Sequence, residues 1–179
     1  AVGAVTSINT VDTIVTHIND NLNGVTASTV VELTASRVGT GIVGTAVSTI
    51  TVTNNDGTTV AFGVVNTDSL AEYAAAVNEE SGGLVSATIG DDGRLTLSAQ
   101  DARRIAVTGT DTTGTDGQAE ARIVLTSDSG DDITITRGST GTLADLNAYG
   151  FRESDTGGVI EGVGLVQSSG GANERLDVG

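Results

Sequence analysis

Between Thr67 and Thr108 the apolar residues change from helical spacing to strict alternation. Leu70, Tyr73, Ala74 and Val77 fall at i, i+3, i+4 and i+7, which puts one apolar stripe on a helix. Ser69-Leu70-Ala71-Glu72 has capping-box spacing: a hydroxyl at the N-cap accepts the N3 amide while the glutamate reaches back to the N-cap amide. Thr67 and Asp68 are alternative caps, and Gly82-Gly83 provide a stop. Val85 to Ile89 then alternates, Asp91-Asp92-Gly93 is turn chemistry, and Leu95, Leu97, Ile105 and Val107 alternate again. The pattern predicts a helix lying on an antiparallel sheet.

A second, broken copy surrounds this one. Val11, Ile14, Val15, Ile18 and Asn19 match Leu70, Tyr73, Ala74, Val77 and Asn78 at a constant offset of 59 residues. Gly24 to Ser28 then matches Gly83 to Thr88, with one extra residue in the second copy. The strands that should follow Ser28 resume far downstream, where Arg122 to Leu125 repeats Arg94 to Leu97 and Ile133 to Thr136 repeats Ile105 to Thr108, both at an offset of 28. The expectation is an α+β protein of two small units, each an amphipathic helix packed on an antiparallel sheet, the second inserted within the first. Residues 1–46 plus 111–179 form the first, discontinuous unit and residues 47–110 the second. The connectors, residues 37–47 and 109–118, are rich in Gly and Thr. They must lie close together if the chain enters and leaves the inserted unit at one place.

The remaining stretches fill in around these units. Residues 1–9 read as an edge strand or lead-in, and Thr10 caps a first helix that runs to about Asn23 and stops at Gly24. Residues 25–35 continue as a strand. Ile50 and Val52, then Val60 and Phe62, alternate about Asn54-Asn55-Asp56-Gly57, a hairpin signal. A strand pair from Arg122 to Thr136 is expected to turn at Asp128-Ser129-Gly130-Asp131. Thr142 to Leu146 reads as one helical turn, and Leu146, Tyr149 and Phe151 as a plug for the open end of the first unit. Val159, Val163, Leu165 and Val166 suffice for one strand, and residues 170–179 read as irregular.

The sequence "helix ending in Ile18-Asn19, then Gly24-Val25-Thr26-Ala27-Ser28, then a strand pair" resembles the IN-type repeat in the variable outer region of bacterial flagellins, which also occurs in filament-cap and hook-associated proteins. The resemblance covers roughly residues 8–35, 48–108 and 121–151. It implies a structural protein of the bacterial flagellum, secreted and extracellular, at the filament surface and serving motility. Other flagellin subunits would be its partners, through core regions absent from this chain, because the long heptad-rich terminal helices of flagellins are missing. A flagellar cap or hook-associated protein, or a surface adhesin acting as a binding module, is the alternative. Residues 1–9 show no charged region followed by an apolar block. That fits export without a cleaved signal, and equally a fragment boundary.

Composition narrows the chemistry. The 179 residues include no Cys, Pro, Met or Trp, and all eight basic residues are Arg. Phe62, Tyr73, Tyr149 and Phe151 are the only aromatics, so the cores must be small and aliphatic. Disulfides and Cys-based metal sites are excluded. A net charge of −15 argues against nucleic acid and against anionic membrane surfaces, and no run approaches the ~20 apolar residues of a membrane span. With no long apolar heptads and strong self-repulsion, the chain is expected to be monomeric on its own.

No residue is assigned to catalysis, to a cofactor or to a metal. The lone histidine, His17, falls on the expected solvent side of its helix, with no second His or Cys to complete a triad or a zinc site. No His-Glu-x-x-His motif occurs, and the absence of Lys rules out a phosphate-binding Gly-x-x-x-x-Gly-Lys loop. Asp111, Asp116 and Glu120 in one Gly- and Thr-rich segment, and Asp128, Asp131 and Asp132 in another, are the residue types calcium prefers. Neither segment has EF-hand spacing, and acidic turn residues more often form the turns themselves. Thr and Ser supply 42 of the 179 residues, many on alternating positions that should face water. An O-linked glycan on that surface is one reading and an ordinary exposed sheet the other, the latter favoured; no Asn-x-Ser/Thr acceptor occurs. With the acidic segments acting as turns, adding a chelator leaves the melting temperature unchanged. A calcium-dependent rise in a thermal melt would show linked binding to the native state and reverse that assignment.

Overall fold

A computed structural model describes residues 11–109, 113–114, 117–136, 139–144, 151, 154–156 and 159–161. Residues 1–9, the Thr10 cap, Asp111, Asp116, Leu146, Tyr149, Val163, Leu165, Val166 and residues 170–179 therefore lie outside the described residues. The chain forms α1 (Val11–Asn21), β1 (Val25–Thr34), β2 (Ile42–Val43), β3 (Ser48–Asn54), β4 (Thr59–Val64), β5 (Thr67–Asp68) and α2 (Leu70–Glu80). There follow β6 (Ser86–Ile89), β7 (Leu95–Gln100), β8 (Ala102–Thr108), β9 (Gly117–Glu120), β10 (Arg122–Ser127), β11 (Ile133–Ile135), β12 (Ser154–Thr156) and β13 (Val159–Glu161). The class is α+β, with two helices among the described residues against many antiparallel strands.

Glycines in the left-handed region follow both helices, Gly24 at φ 84° after α1 and Gly82 and Gly83 at φ 60° and 90° after α2, where a side chain would be strained. Helix α2 begins as its spacing requires, with the Ser69 hydroxyl accepting from the Glu72 amide at 3.2 Å. The Glu72 carboxylate, however, accepts from the amide of Asp68 at 2.8 Å rather than from that of Ser69. The glutamate thus caps the residue before the N-cap. Tyr73, Ala74 and Val77 are buried as the stripe predicts. In α1 Ile14 is buried, while Val11, Val15 and Ile18 are half-buried against the core.

Strand β1 joins the two halves of the structure. Its first part, Val25 to Val30, pairs antiparallel with β10, and its last part, Val30 to Thr34, pairs on the opposite edge with β7. The resulting five-stranded sheet has the order β13-β10-β1-β7-β6. Ala27 faces Leu125 across the β1–β10 ladder as Ala87 faces Leu97 across the β6–β7 ladder, so the two offsets seen in the sequence coincide with equivalent pairings in space. A second sheet has the order β4-β3-β8-β9, and the pairs β2–β5 and β11–β12 stand apart. Two corners carry the chain between the large sheets. Asp101, at φ 53°, links β7 to β8 and donates its amide to the Thr29 carbonyl at 2.9 Å, and Ala121 links β9 to β10 and donates to the Arg103 carbonyl at 2.8 Å.

These corners correct the expected strand pair from Arg122 to Thr136. β10 pairs with β1 and β13, and β11 pairs with β12. The edge of β10 that a hairpin would use is occupied, since β1 takes one side and β13 the other. The hairpin at Asn54 to Gly57 forms as its sequence predicts, with Thr53 opposite Thr59 and Gly57 at φ 89°.

Burial divides into two cores. The larger gathers Val31, Ala35, Val43, Ile50, Val52, Val64, Tyr73, Ala74, Val77, Leu95, Leu97, Ile105 and Ala121 among others, all from within residues 31–121. The smaller gathers Ile14, Ala27, Ile123, Leu125, Ile133 and Phe151, from the two flanking stretches. Phe151 occupies the place expected of the plug. Between the cores, on the inward face of β1, sits Thr29, fully buried. Its hydroxyl accepts from Asn55 Nδ2 at 2.9 Å and donates to Asn55 Oδ1 at 3.0 Å, so the tip of the β3–β4 hairpin satisfies a polar group that would otherwise be costly there. The connectors run side by side. Ser36 donates its amide to the Gly114 carbonyl at 3.0 Å, and a Cβ on Gly109 would come within 2.5 Å of the Val47 carbonyl oxygen.

A buried polar contact in the larger core joins α2 to β3, Tyr73 Oη to Ser48 Oγ at 2.9 Å, with both residues fully buried. Burial raises the Tyr73 phenol above its ordinary value, and the Ser48 hydrogen bond partly opposes that rise. A raised pKa means the contribution to stability is present below the unfolded value and is lost as the pH climbs through the folded one. Tyr73→Phe leaves the Ser48 hydroxyl buried without that partner and lowers stability by about 1–2 kcal/mol. Chemical denaturation of the two proteins measures this, and an unchanged midpoint would show the bond contributes nothing.

Candidate functional site

The most distinctive local arrangement is duplicated. Near the end of α1, Asn19 Oδ1 accepts from the Ala27 amide at 2.7 Å while its Nδ2 donates to the Ala27 carbonyl at 3.0 Å. Near the end of α2, Asn78 makes the same two bonds to Ala87, at 2.8 and 3.1 Å. An asparagine is the shortest side chain that offers one donor and one acceptor in the plane of a peptide group. Each therefore replaces a missing strand neighbour and fixes the helix on the sheet at a single angle. Aspartate would present no donor in its charged form, and leucine would leave two half-buried polar groups unpaired.

The acidic turns are held by their own backbones. Asp56 Oδ1 accepts from the amide and hydroxyl of Thr58, at 2.8 and 2.7 Å. Asp92 Oδ1 accepts from the Arg94 amide at 3.0 Å while Oδ2 meets Arg94 Nε at 2.6 Å. These hydrogen bonds hold both carboxyls below their ordinary range, Thr58 being the cause for Asp56 and Arg94 for Asp92. Depressed values contribute stability that is present above the unfolded value and is lost as the pH falls through the folded one. Of the residues considered for calcium, Glu120 faces Arg104 at 3.7 Å, Asp128 accepts from the Thr26 hydroxyl at 2.8 Å and Asp131 from the Ser129 hydroxyl at 2.7 Å. Among the described residues no three acidic or histidine side chains converge as a metal site would require.

His17 is half-buried, which corrects its expected solvent-side position. Asn21 Nδ2 lies 3.2 Å from its Nδ1 and donates to its backbone carbonyl at 2.8 Å, while its Nε2 is buried.

One face of the five-stranded sheet carries hydroxyls in rows. Thr34, Thr96 and Thr88 stand opposite one another on three strands, and Glu32, Ser98 and Ser86 form the next row. Thr26 and Thr126 form another at the far end. Thr34 and Thr96 share a hydrogen bond at 3.0 Å, and Arg122 reaches across to Glu32 in an ion pair. Such an exposed pair adds little to stability. Short β-branched hydroxyls suit a solvated face, so the alternation of the sequence appears in space as a hydrophilic, sparsely charged surface.

Because both clamps bind peptide groups that have no other partner on that side, Asn19→Ala and Asn78→Ala each lower stability by about 1–3 kcal/mol. Asn78→Asp, which sets a carboxylate against the Ala87 carbonyl, loses at least as much as Asn78→Ala. Denaturant titration of the three variants provides the measurement; parity with the parent chain would mean that the clamps only accompany the packing.

No family model matches the chain, and no curated protein matches it. Among solved structures it is similar to the crystal structure of the flagellar cap protein FliD D1-D2-D3 domains from Escherichia coli, with a TM-score of 0.37 and 19% identity. That similarity covers 60% of this chain and 45% of the other, so the chain spans less than half of the structure it matches. At this level the likeness establishes neither a shared fold nor a shared role.

Proposed function

We propose that the chain is a solvent-facing structural segment of a bacterial flagellin, secreted and exposed on the filament, with a mechanical and steric role and no catalysis. The single observation that carries the reading is the paired clamp. The residues that resemble the IN-type repeat, Ile18-Asn19 with Ala27 and Val77-Asn78 with Ala87, make the same two hydrogen bonds in both copies. In this reading the repeat is a unit of construction used twice, with the first copy resumed after the second. Net charge of −15 and a hydroxyl-covered sheet face suit a surface that must stay soluble and avoid neighbours. An O-linked glycan would be accommodated on the rows of Thr and Ser, though nothing in their geometry requires one. Among the described residues no helix is long and apolar enough to cross a membrane.

A flagellar cap or hook-associated protein, or a surface adhesin, is the alternative, and one experiment separates them. Antibodies raised against this chain and imaged by immunogold on cells producing the whole protein should decorate the filament along its length. Labelling confined to the tip or to the hook junction would assign the chain to a cap or hook-associated protein, and labelling of the cell body alone would remove the flagellar reading. The chain by itself should be monomeric by light scattering at micromolar concentration. Stable oligomers would favour the cap-like assembly.

A further inference from the structure

Asn23 is the only asparagine in the chain that precedes a glycine. It lies in the short link between α1 and β1, and it is exposed. Among the described residues neither its side chain nor the amide of Gly24 enters a hydrogen bond. Gly24 has φ 84°, and a Cβ placed on it would meet nothing within 4 Å. Its amide nitrogen is therefore open to approach.

Two aspartate-glycine steps show the opposite arrangement. At Asp56-Gly57 the carboxylate is held by Thr58 while the Gly57 amide donates to the Asn54 carbonyl at 3.0 Å. At Asp92-Gly93 the carboxylate is held by Arg94 and the Gly93 amide donates to the Gly90 carbonyl at 2.9 Å. In both, the would-be electrophile and the would-be nucleophile are engaged elsewhere. In the second copy of the repeat, the position equivalent to Asn23 is Gly82, which has no side chain to react.

We propose that Asn23 is a site of spontaneous deamidation in the folded protein. The Gly24 amide nitrogen gives up its proton and attacks Asn23 Cγ. A new C–N bond closes the five-membered succinimide, the Cγ–Nδ2 bond breaks, and the proton leaves with ammonia. Water then adds to one of the two ring carbonyls and reopens the ring, giving aspartate or, with the main chain rerouted through Cγ, isoaspartate. No oxidant or other co-reactant is needed. The product adds a negative charge just past the end of α1, where the helix dipole already disfavours one. Isoaspartate also lengthens the backbone between Asn19 and Ala27, the two sides of the first clamp, and so loosens the smaller core while leaving the Asn78 clamp untouched.

The test holds the intact chain in mildly alkaline buffer, folded in one arm and fully denatured in the other, and follows both by peptide mapping and isoelectric focusing. The folded chain is expected to gain one negative charge at Asn23 at a rate comparable with that of the denatured chain. Isomerisation at Asp56 and Asp92 is expected only in the denatured arm. Asn23→Gln, which would require a slower six-membered closure, should abolish the acidic shift without altering the fold. Retention of the Asn23 amide in the folded arm over the time the denatured arm loses it would overturn the proposal. So would isomerisation of Asp56 or Asp92 in the folded arm as fast as any change at Asn23.

Discussion

Strand β1 is the constraint on which the other elements depend. One residue, Val30, is in register with Arg122 on one edge and with Gln100 on the other, so β1 is a central strand with different neighbours along its two halves. Its inward face must supply Ala27 to one core and Val31 to the other. The alternation of a single strand therefore fixes both cores at once, since a one-residue slip would turn both sets of side chains outward. The corners at Asp101 and Ala121 follow from the same fact. β7 and β10 have to diverge around β1, whereas β8 and β9, into which they run, pair with each other.

The same strand brings together parts of the chain that lie far apart in sequence. β1 and β10 are neighbours although residues 35–121 separate them in the chain. The connectors meet where Ser36 bonds to Gly114 and Gly109 abuts Val47. The loop closed by the intervening stretch thus starts and ends at nearly one point, and the entropic cost of its length grows only slowly. The cores nevertheless touch through β1 and Thr29, so the connectors are not their sole junction.

The parts of this fold that could be read from the chain are those set by local periodicity. The stripe of α2, its Ser69 cap, the turns at Gly57 and Gly93 and the matching of the two repeats all depend on residues close in sequence or on recurrence of the same residues. Asn19 and Asn78 stood out because they recur, although nothing in spacing alone says what they bind. The destinations of β8 and β11 were not legible. An apolar alternation such as Ile133-Thr134-Ile135 states which face is buried and is silent on which strand lies alongside. His17 was misplaced for a related reason, because a five-residue stripe defines a helix face only to within a residue's width. Of the acidic residues weighed as calcium ligands, Asp128 and Asp131 accept from the hydroxyls of Thr26 and Ser129, and Glu120 faces Arg104, partners that spacing along the chain does not name.

The bond between Asn55 and Thr29 makes the turns of this surface unequal as places for sequence change. The β3–β4 turn is tethered, because residues added beside Asn55 would draw its amide away from a hydroxyl that has no water to fall back on. The Asp91-Asp92 turn is closed from within, by bonds among Gly90, Asp92, Gly93 and Arg94, and a Cβ added to Gly93 would meet the Val38 side chain. Added length there projects outward and leaves both cores as they are. A grafted peptide epitope would accordingly be displayed from the second turn and would unpick the junction of the cores from the first.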